Sequence, residues 1–335
     1  MSSFKLADLP RPFFILAPMD DVTDTVFRQV IADCAAPDLY FTEFVNVDGL
    51  QSPGRSKLLK KLRFTAAERP LIAQIWGKNP ENFLKTAAEI ADGTLARELG
   101  LPVGVNFAGI DLNMGCPEKN VVKNGTCSAL INNPELAVAM IQATQAGAAG
   151  RLPVSVKTRL GFNTIDFNWH TTLLQQKLNM LTIHGRTRAE MSKVPAHWDS
   201  VGHVRELRDA LAPETLIVGN GDVLSRAQGE ALAAEHGLDG IMVGRGIFQD
   251  PYLFSKQTPW LDFSPEQRIA LYRKHVELFA ATWRDNERPI HTLNKFCKIY
   301  INHFDNAKEL REELMAANSA DELLQIMDQA NKYLQ

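Results

Sequence analysis

Between Gly109 and Gly125 the chain reads GIDLNMGCPEKNVVKNG. An apolar, strand-like stretch ends in Asn113. Cys116 follows inside a Gly-Cys-Pro turn, and Lys119 and Lys123 come just after it. A cysteine is most often a small buried hydrophobe, but one at the tip of a strand is placed to do chemistry. Its ordinary pKa of about 8.5 leaves the thiol mostly protonated at neutral pH, so it is a competent proton donor. Metal ligation is disfavoured: Cys34, Cys116, Cys127 and Cys297 form no CxxC pair and have no histidine at ligand spacing. For the same reason neither a zinc site nor a disulfide framework is expected.

Other polar groups stand in the same relation to apolar runs. FFILA (13–17) leads to Pro18 and Met19, LYFTEFV (39–45) carries Glu43, and LIAQIW (71–76) carries Gln74. VNFAGIDLN (105–113) ends in Asn113 ahead of Cys116, and PVSVKTR (153–159) holds Lys157 and Arg159. LNMLTIH (178–184) ends in His184 ahead of Arg186. TLIVGN (215–220) ends in Asn220 ahead of Asp222, and LDGIMVG (238–244) ends in Gly244 ahead of Arg245. A charge or amide at the end of an apolar run carries a desolvation cost. Seven such tips, with Pro18 and Met19 at an eighth, are hard to explain without a shared ligand.

The elements that must position them follow from the same runs. The runs are continuous rather than alternating, as strands buried on both faces should be. TDTVFRQVIADC, NPENFLKTAAEIA, NPELAVAMIQATQ and SRAQGEALAAEHG lie between them, each opening on a capping residue type, the last closing on Gly. The repeat is about 30 residues, the size of a βαβ unit. Eight repeats predict an α/β chain folded as a closed parallel (β/α)8 TIM barrel, with all eight tips on one face. A doubly wound open sheet is the alternative, but it would spread the tips along an edge.

The last two tips indicate a phosphorylated ligand. VGNGD follows the seventh run and VGRG the eighth, and loops after barrel strands seven and eight commonly bind phosphate through backbone N–H groups. Lys157 inside an apolar run calls for an electron-rich partner. An isoalloxazine ring is one such partner, and Gln74 could bond its pyrimidine end. After residue 260 the pattern becomes helical, in SPEQRIALYRKHVELFAATW, IHTLNKFCKIYINHF, AKELREELMAA and SADELLQIMDQANKYL. The chain is therefore divided into a catalytic barrel over 1–260 and a small all-helical domain over 261–335. Arg288, His291, Lys295 and Lys298 could share one face there and bind phosphate backbone; a merely solvated bundle is the alternative.

Bulk properties fit a globular protein with a large core: 335 residues, 45% hydrophobic, 22% charged. A net charge of -3 offers no global attraction for nucleic acid, so any such contact must be local. There is no basic segment leading into an apolar one at the N-terminus, and no apolar run of membrane-spanning length. A cytoplasmic protein is expected, with no membrane association.

In order, LAPMDDVTDTVFR, TEF, IAQIWG, DLNMGCPEKNVVKNG, VSVKTRLG, LTIHGRTR, VGNGDV and IMVGRGIFQDP resemble the tRNA-dihydrouridine synthase family, and HTLNKFCKIYI and LREELMAANSADEL extend the likeness through the tail. The resemblance covers nearly the whole chain, with NMGCP and HGRT its most specific elements. It implies an FMN-dependent enzyme, driven by NADPH, that reduces the C5–C6 double bond of uridines in tRNA. It implies that Cys116 protonates C5 while hydride reaches C6. It further implies that Pro18, Met19 and Asp20 line the flavin, that Gln74, Lys157 and His184 contact its ring or ribityl chain, and that Asn220, Gly221, Asp222, Gly244 and Arg245 hold the ribityl and phosphate. Asn113, Arg159 and Arg186 fall where the family meets the target uridine. The helical domain would be a second grip on tRNA, with the protein a monomer. The sequence departs from the family at Asp21, where Gly is usual, and at Met191 and Ser192, where a Tyr is common. GTCSALI replaces a more usual small-residue run, and the 92–108 segment is longer than usual. A flavin barrel acting on a free pyrimidine and a tRNA-binding protein with a dead flavin site are the other readings. The tail and NMGCP argue against the first, and retention of Cys116 and Lys157 against the second.

Overall fold

The computed structural model describes residues 4–284 and 287–334. Nine short parallel strands form one sheet: β1 (Phe13–Leu16), β2 (Leu39–Phe41), β3 (Val45–Asn46), β4 (Leu71–Trp76), β5 (Gly109–Met114), β6 (Val154–Arg159), β7 (Met180–His184), β8 (Leu216–Asn220) and β9 (Gly240–Val243). β2 pairs with both β1 and β4, and β9 pairs with β1, so the sheet closes on itself. β3 also pairs with β4. The barrel therefore has eight staves, the second in two pieces.

Two runs differ from expectation for local reasons. LYFTEFV breaks after Phe41 because the Thr42 hydroxyl enters the ladder: it accepts the Gln74 N–H (3.0 Å) and donates to the Glu43 carbonyl (2.7 Å). VNFAGIDLN becomes strand only from Gly109. Asn106 donates to the Ile90 carbonyl (2.9 Å) and accepts the Phe107 N–H (2.8 Å), and such local bonds compete with strand pairing.

Register stacks the barrel interior in layers, because residues paired across parallel strands share a face. Gln74, Asp111 and Ser155 are paired in sequence on β4, β5 and β6. One layer further along the strands lie Asn113, Lys157 and Thr182, and then Arg159, His184 and Asn220. The remaining interior is an apolar plug that includes Phe13, Ile15, Phe41, Ile72, Met180, Val218 and Met242. Polar side chains thus fill the layers from Gln74, Asp111 and Ser155 toward the C-terminal end of the strands.

The principal helices are α1 (Thr25–Ala35), α2 (Pro80–Ala91), α3 (Pro134–Ala148), α4 (Phe167–Leu174), α5 (Trp198–Leu211), α6 (Arg226–His236), α7 (Pro265–Thr282), α8 (His291–Asn294), α9 (Cys297–Tyr300), α10 (Ala307–Ala316) and α11 (Ala320–Asp328). Asn79, Asn133, Ser225, Ser264 and Ser319 each accept a first-turn N–H, as their residue types lead one to expect. The chain forms two compact units, one of residues 1–25 with 37–246, the other of 26–36 with 247–335. The second unit is helical around an aromatic nest in which Phe27 stacks on Phe296 and Tyr272 on Tyr300. α1, the helix after the first barrel strand, belongs largely to this unit. Among the described residues no helix is long and apolar enough to cross a membrane.

Candidate active site

Cys116 sits half-buried just past the end of β5. Its turn is held from below. Asn113 Oδ1 accepts the N–H groups of Gly115 (3.1 Å) and Cys116 (3.0 Å). Asn113 Nδ2 donates to Gln74 Oε1 (3.2 Å), and Gln74 Nε2 donates to Asp111 Oδ2 (2.8 Å). Ser155 Oγ donates to the other Asp111 oxygen (2.6 Å). Ser128 Oγ donates to the Cys116 carbonyl (2.8 Å). Burial pushes the Cys116 thiol up, outweighing the pull of the Glu118 backbone and of Arg159. The thiol therefore keeps its proton at neutral pH.

Asp111 and Ser155 are the residues that sequence reasoning passed over. Asp111 is fully buried, and that burial lifts its pKa to about 6 against the lowering effect of Ser155, Gln74 and Lys157. The available signal is an acid in the middle of an apolar run, where it must have partners.

Lys157, Arg159, Arg186 and Arg245 surround His184. Burial and these four cations hold the imidazole well below its usual pKa, so it is neutral. Burial also brings Lys157 down to about 8, with Arg159 adding to the effect and Asp111 opposing it. The two arginines expected at the substrate are engaged with the protein itself. Arg159 Nε donates to the Gly115 carbonyl (2.8 Å), and its Nη1 to the carbonyls of Thr187 (3.0 Å) and Met191 (3.2 Å). Arg186 donates to the Val194 carbonyl (2.5 Å), meets His184 Nε2 (3.2 Å) and pairs with Asp222. Arg159 ties the Cys116 turn to the loop carrying Met191, which is exposed and has a left-handed φ of 56°.

The loops after β8 and β9 close against each other. Asn220 Nδ2 donates to the Met242 carbonyl (2.8 Å). Gly221 has φ 139° and lies so close to Ala196 that a Cβ would be 2.8 Å from its methyl carbon. Asp222 accepts the Ala196 N–H (3.0 Å). Gly244 is half-buried, and Arg245 is exposed at the start of a short turn of helix. Next to it, a Cβ on Gly246 would fall 2.0 Å from the Val223 carbonyl oxygen, so the two loops meet backbone to backbone. At the first loop Pro18 and Met19 are half-buried, Met19 N–H donating to Thr23 Oγ1 (2.8 Å). Asp20 is exposed and pairs with Lys61.

A phosphorylated flavin suits this donor set. The site offers a half-buried lysine, a neutral imidazole among cations, and two glycine-bearing loops in which Gly221 and Gly246 leave no room for a Cβ. Thr182 Oγ1, in the layer of Lys157, is buried without a hydrogen-bond partner among the described residues.

The predicted phosphate-binding face of the helical unit is corrected in one member. His291, Lys295 and Lys298 are exposed along successive helical turns. Arg288 is buried, at 5% exposure, its guanidinium 5.2 Å from the Trp283 ring. A planar guanidinium stacks on indole favourably, which draws it off the exposed face.

Comparison with known proteins gives a consistent result. The family model described as "Dihydrouridine synthase (Dus)" matches residues 15–335. A protein of Bacillus subtilis (strain 168) named "Probable tRNA-dihydrouridine synthase 2" is 45% identical over 331 residues, covering 98% of this chain and 97% of the relative. A "Probable tRNA-dihydrouridine synthase" of Staphylococcus aureus (strain COL) is 44% identical over 326 residues, covering 96% and 94%.

Proposed function

The chain belongs to the dihydrouridine synthase family of flavin-dependent oxidoreductases, and on that premise we propose that it reduces the C5–C6 double bond of specific uridines in the D-loop of tRNA. The observation that carries this reading is the Cys116 turn at the end of β5, held by Asn113 and Arg159, with Lys157 and His184 on the next two strands in register beside it. Lys157, Gln74 and His184 would hold the flavin ring and ribityl chain, with Pro18, Met19 and Asp20 along the first loop. Asn220, Gly221, Asp222, Gly244 and Arg245 would hold the ribityl and phosphate. FMN, when bound, supplies hydride to uracil C6, and NADPH restores it.

Cys116 gives its proton to C5 on the other face of the base, where negative charge develops. Asn113 fixes the turn that aims the thiol. Arg159 braces the same turn from the Gly115 carbonyl. Arg186 neutralises Asp222 beside the phosphate loops, so the carboxylate does not repel an anion. A uridine in a folded tRNA must leave its stack to reach this pocket, at a cost of a few kcal/mol. Recognition then rests on tRNA shape and phosphates, with His291, Lys295 and Lys298 contributing from the helical unit.

The test is position-resolved dihydrouridine mapping of tRNA from cells lacking the protein. The expected result is loss at a D-loop position, restored by the wild type and not by Cys116→Ala. An unchanged map, together with NADPH oxidation on free pyrimidines, would replace tRNA by a small-molecule substrate. Purified Cys116→Ala should keep its flavin and let NADPH bleach it, yet form product about 10²–10⁴-fold more slowly.

A further inference from the structure

We propose that Asp111 is a positioning residue for Cys116, acting through a relay of hydrogen bonds whose polarity it sets. The inference rests on the reading of Cys116 as the acid only for its consequence in turnover; the relay itself is geometry.

The N–H groups of Gly115 and Cys116 can only donate, so the Asn113 atom they meet must be its oxygen. The Asn113 amide nitrogen then faces Gln74, which must present oxygen to it. The Gln74 nitrogen in turn faces Asp111, and an ionised carboxylate can only accept. Two amide side chains, each able to turn end for end, are thus ordered by a carboxylate at one end and two backbone N–H groups at the other. Flipping either one would set NH2 against N–H or oxygen against oxygen. All three side chains are buried, Asp111 and Gln74 completely, and at low dielectric a mismatched pair is costly while matched bonds reinforce one another. Ser155 occupies the second Asp111 oxygen, which keeps the first one turned to Gln74. Register explains why the relay exists: Gln74, Asp111 and Ser155 are direct neighbours on three strands, and Asn113 is the next inward residue on β5.

Without the acceptor at position 111, the Gln74 amide loses its reason to face one way, and Asn113 can release the turn. The measurement is the rate of iodoacetamide alkylation at Cys116, resolved by mass spectrometry, on flavin-loaded protein without tRNA. Asp111→Ala should raise that rate about fivefold, the population shift that one lost hydrogen bond allows. Asp111→Asn keeps an oxygen that can accept from Gln74; with the relay still ordered from the Gly115 and Cys116 N–H groups and the Ser155 hydroxyl turned to accept from the new NH2, it should stay within about twofold of wild type, a rescue that loss of buried charge would not give. If Asp111→Ala does not fold, Gln74→Met cuts the next link without removing a charge and, compared with wild type at matched flavin occupancy, should show the same acceleration. A wild-type alkylation rate in Asp111→Ala or Gln74→Met overturns the relay, as does Asp111→Asn reacting as fast as the alanine variant. Dihydrouridine formation by Cys116→Ala at the wild-type rate would instead sink the acid assignment and leave the alkylation result standing.

Discussion

A thiol can serve as an acid only while it holds its proton. Burial raises Cys116 above its ordinary range, so single-turnover product formation should stay level past about pH 8.5, the value for a free cysteine. A decline centred below that pH would contradict the assignment. Lys157 makes the converse prediction for stability. Its folded pKa of about 8 lies below the ordinary lysine value of 10.5, so the flavin-free protein releases this proton before the unfolded chain does. Its stabilising contribution is present above about 10.5 and is lost as pH falls through about 8. Flavin-free Lys157→Met should therefore melt above wild type at pH 7, with the gap shrinking as pH rises toward 10; a constant gap would show that Lys157 is not desolvated. Flavin retention checks its other role, and Lys157→Ala should lose FMN.

At the scale of elements, the strands supply order and the loops supply closeness. Parallel register brings Asp111, Asn113, Lys157 and His184 to one end of one barrel, and no residue on its own carries that information. The loops after β8 and β9 meet so tightly that Gly246→Ala must push a methyl group into the Val223 carbonyl. That change should cost about 1–3 kcal/mol in thermal unfolding and lower the flavin content of the purified protein. Full occupancy at an unchanged melting temperature would mean that the two loops are not jointly required. The break in LYFTEFV belongs to this scale as well: a threonine hydroxyl stands in for a backbone partner, a choice that β propensity does not register.

At the scale of the molecule, the proposed reaction on tRNA requires a chain of net charge -3 to keep its positive charge local. His291, Lys295 and Lys298 are exposed in the helical unit. Charge reversal at Lys295 or Lys298 should weaken tRNA binding and lower the salt dependence of log Kd by about one for each phosphate no longer neutralised. An unchanged slope would remove that face from the interface. Arg288→Ala should act differently, lowering stability by removing the guanidinium that stacks on Trp283 before it affects binding. The two compact units draw on separate parts of the chain, since most of α1 groups with residues from beyond 246.

The order of short apolar runs, the capping residues between them and the polar tips were enough to indicate a closed barrel, because strand and helix periods and caps are local properties. The motifs around Cys116, Lys157 and His184 likewise carried the family. Tertiary structure decided what those side chains bond to. Arg159 and Arg186 read as free cations until their carbonyl and carboxylate partners are seen. Arg288 reads as exposed until Trp283 is found beside it. Asp111 is easily passed over in the sequence because its partners, Gln74 and Ser155, lie 37 and 44 residues away. A buried polar group is defined by its neighbours, and only the folded chain brings such neighbours together.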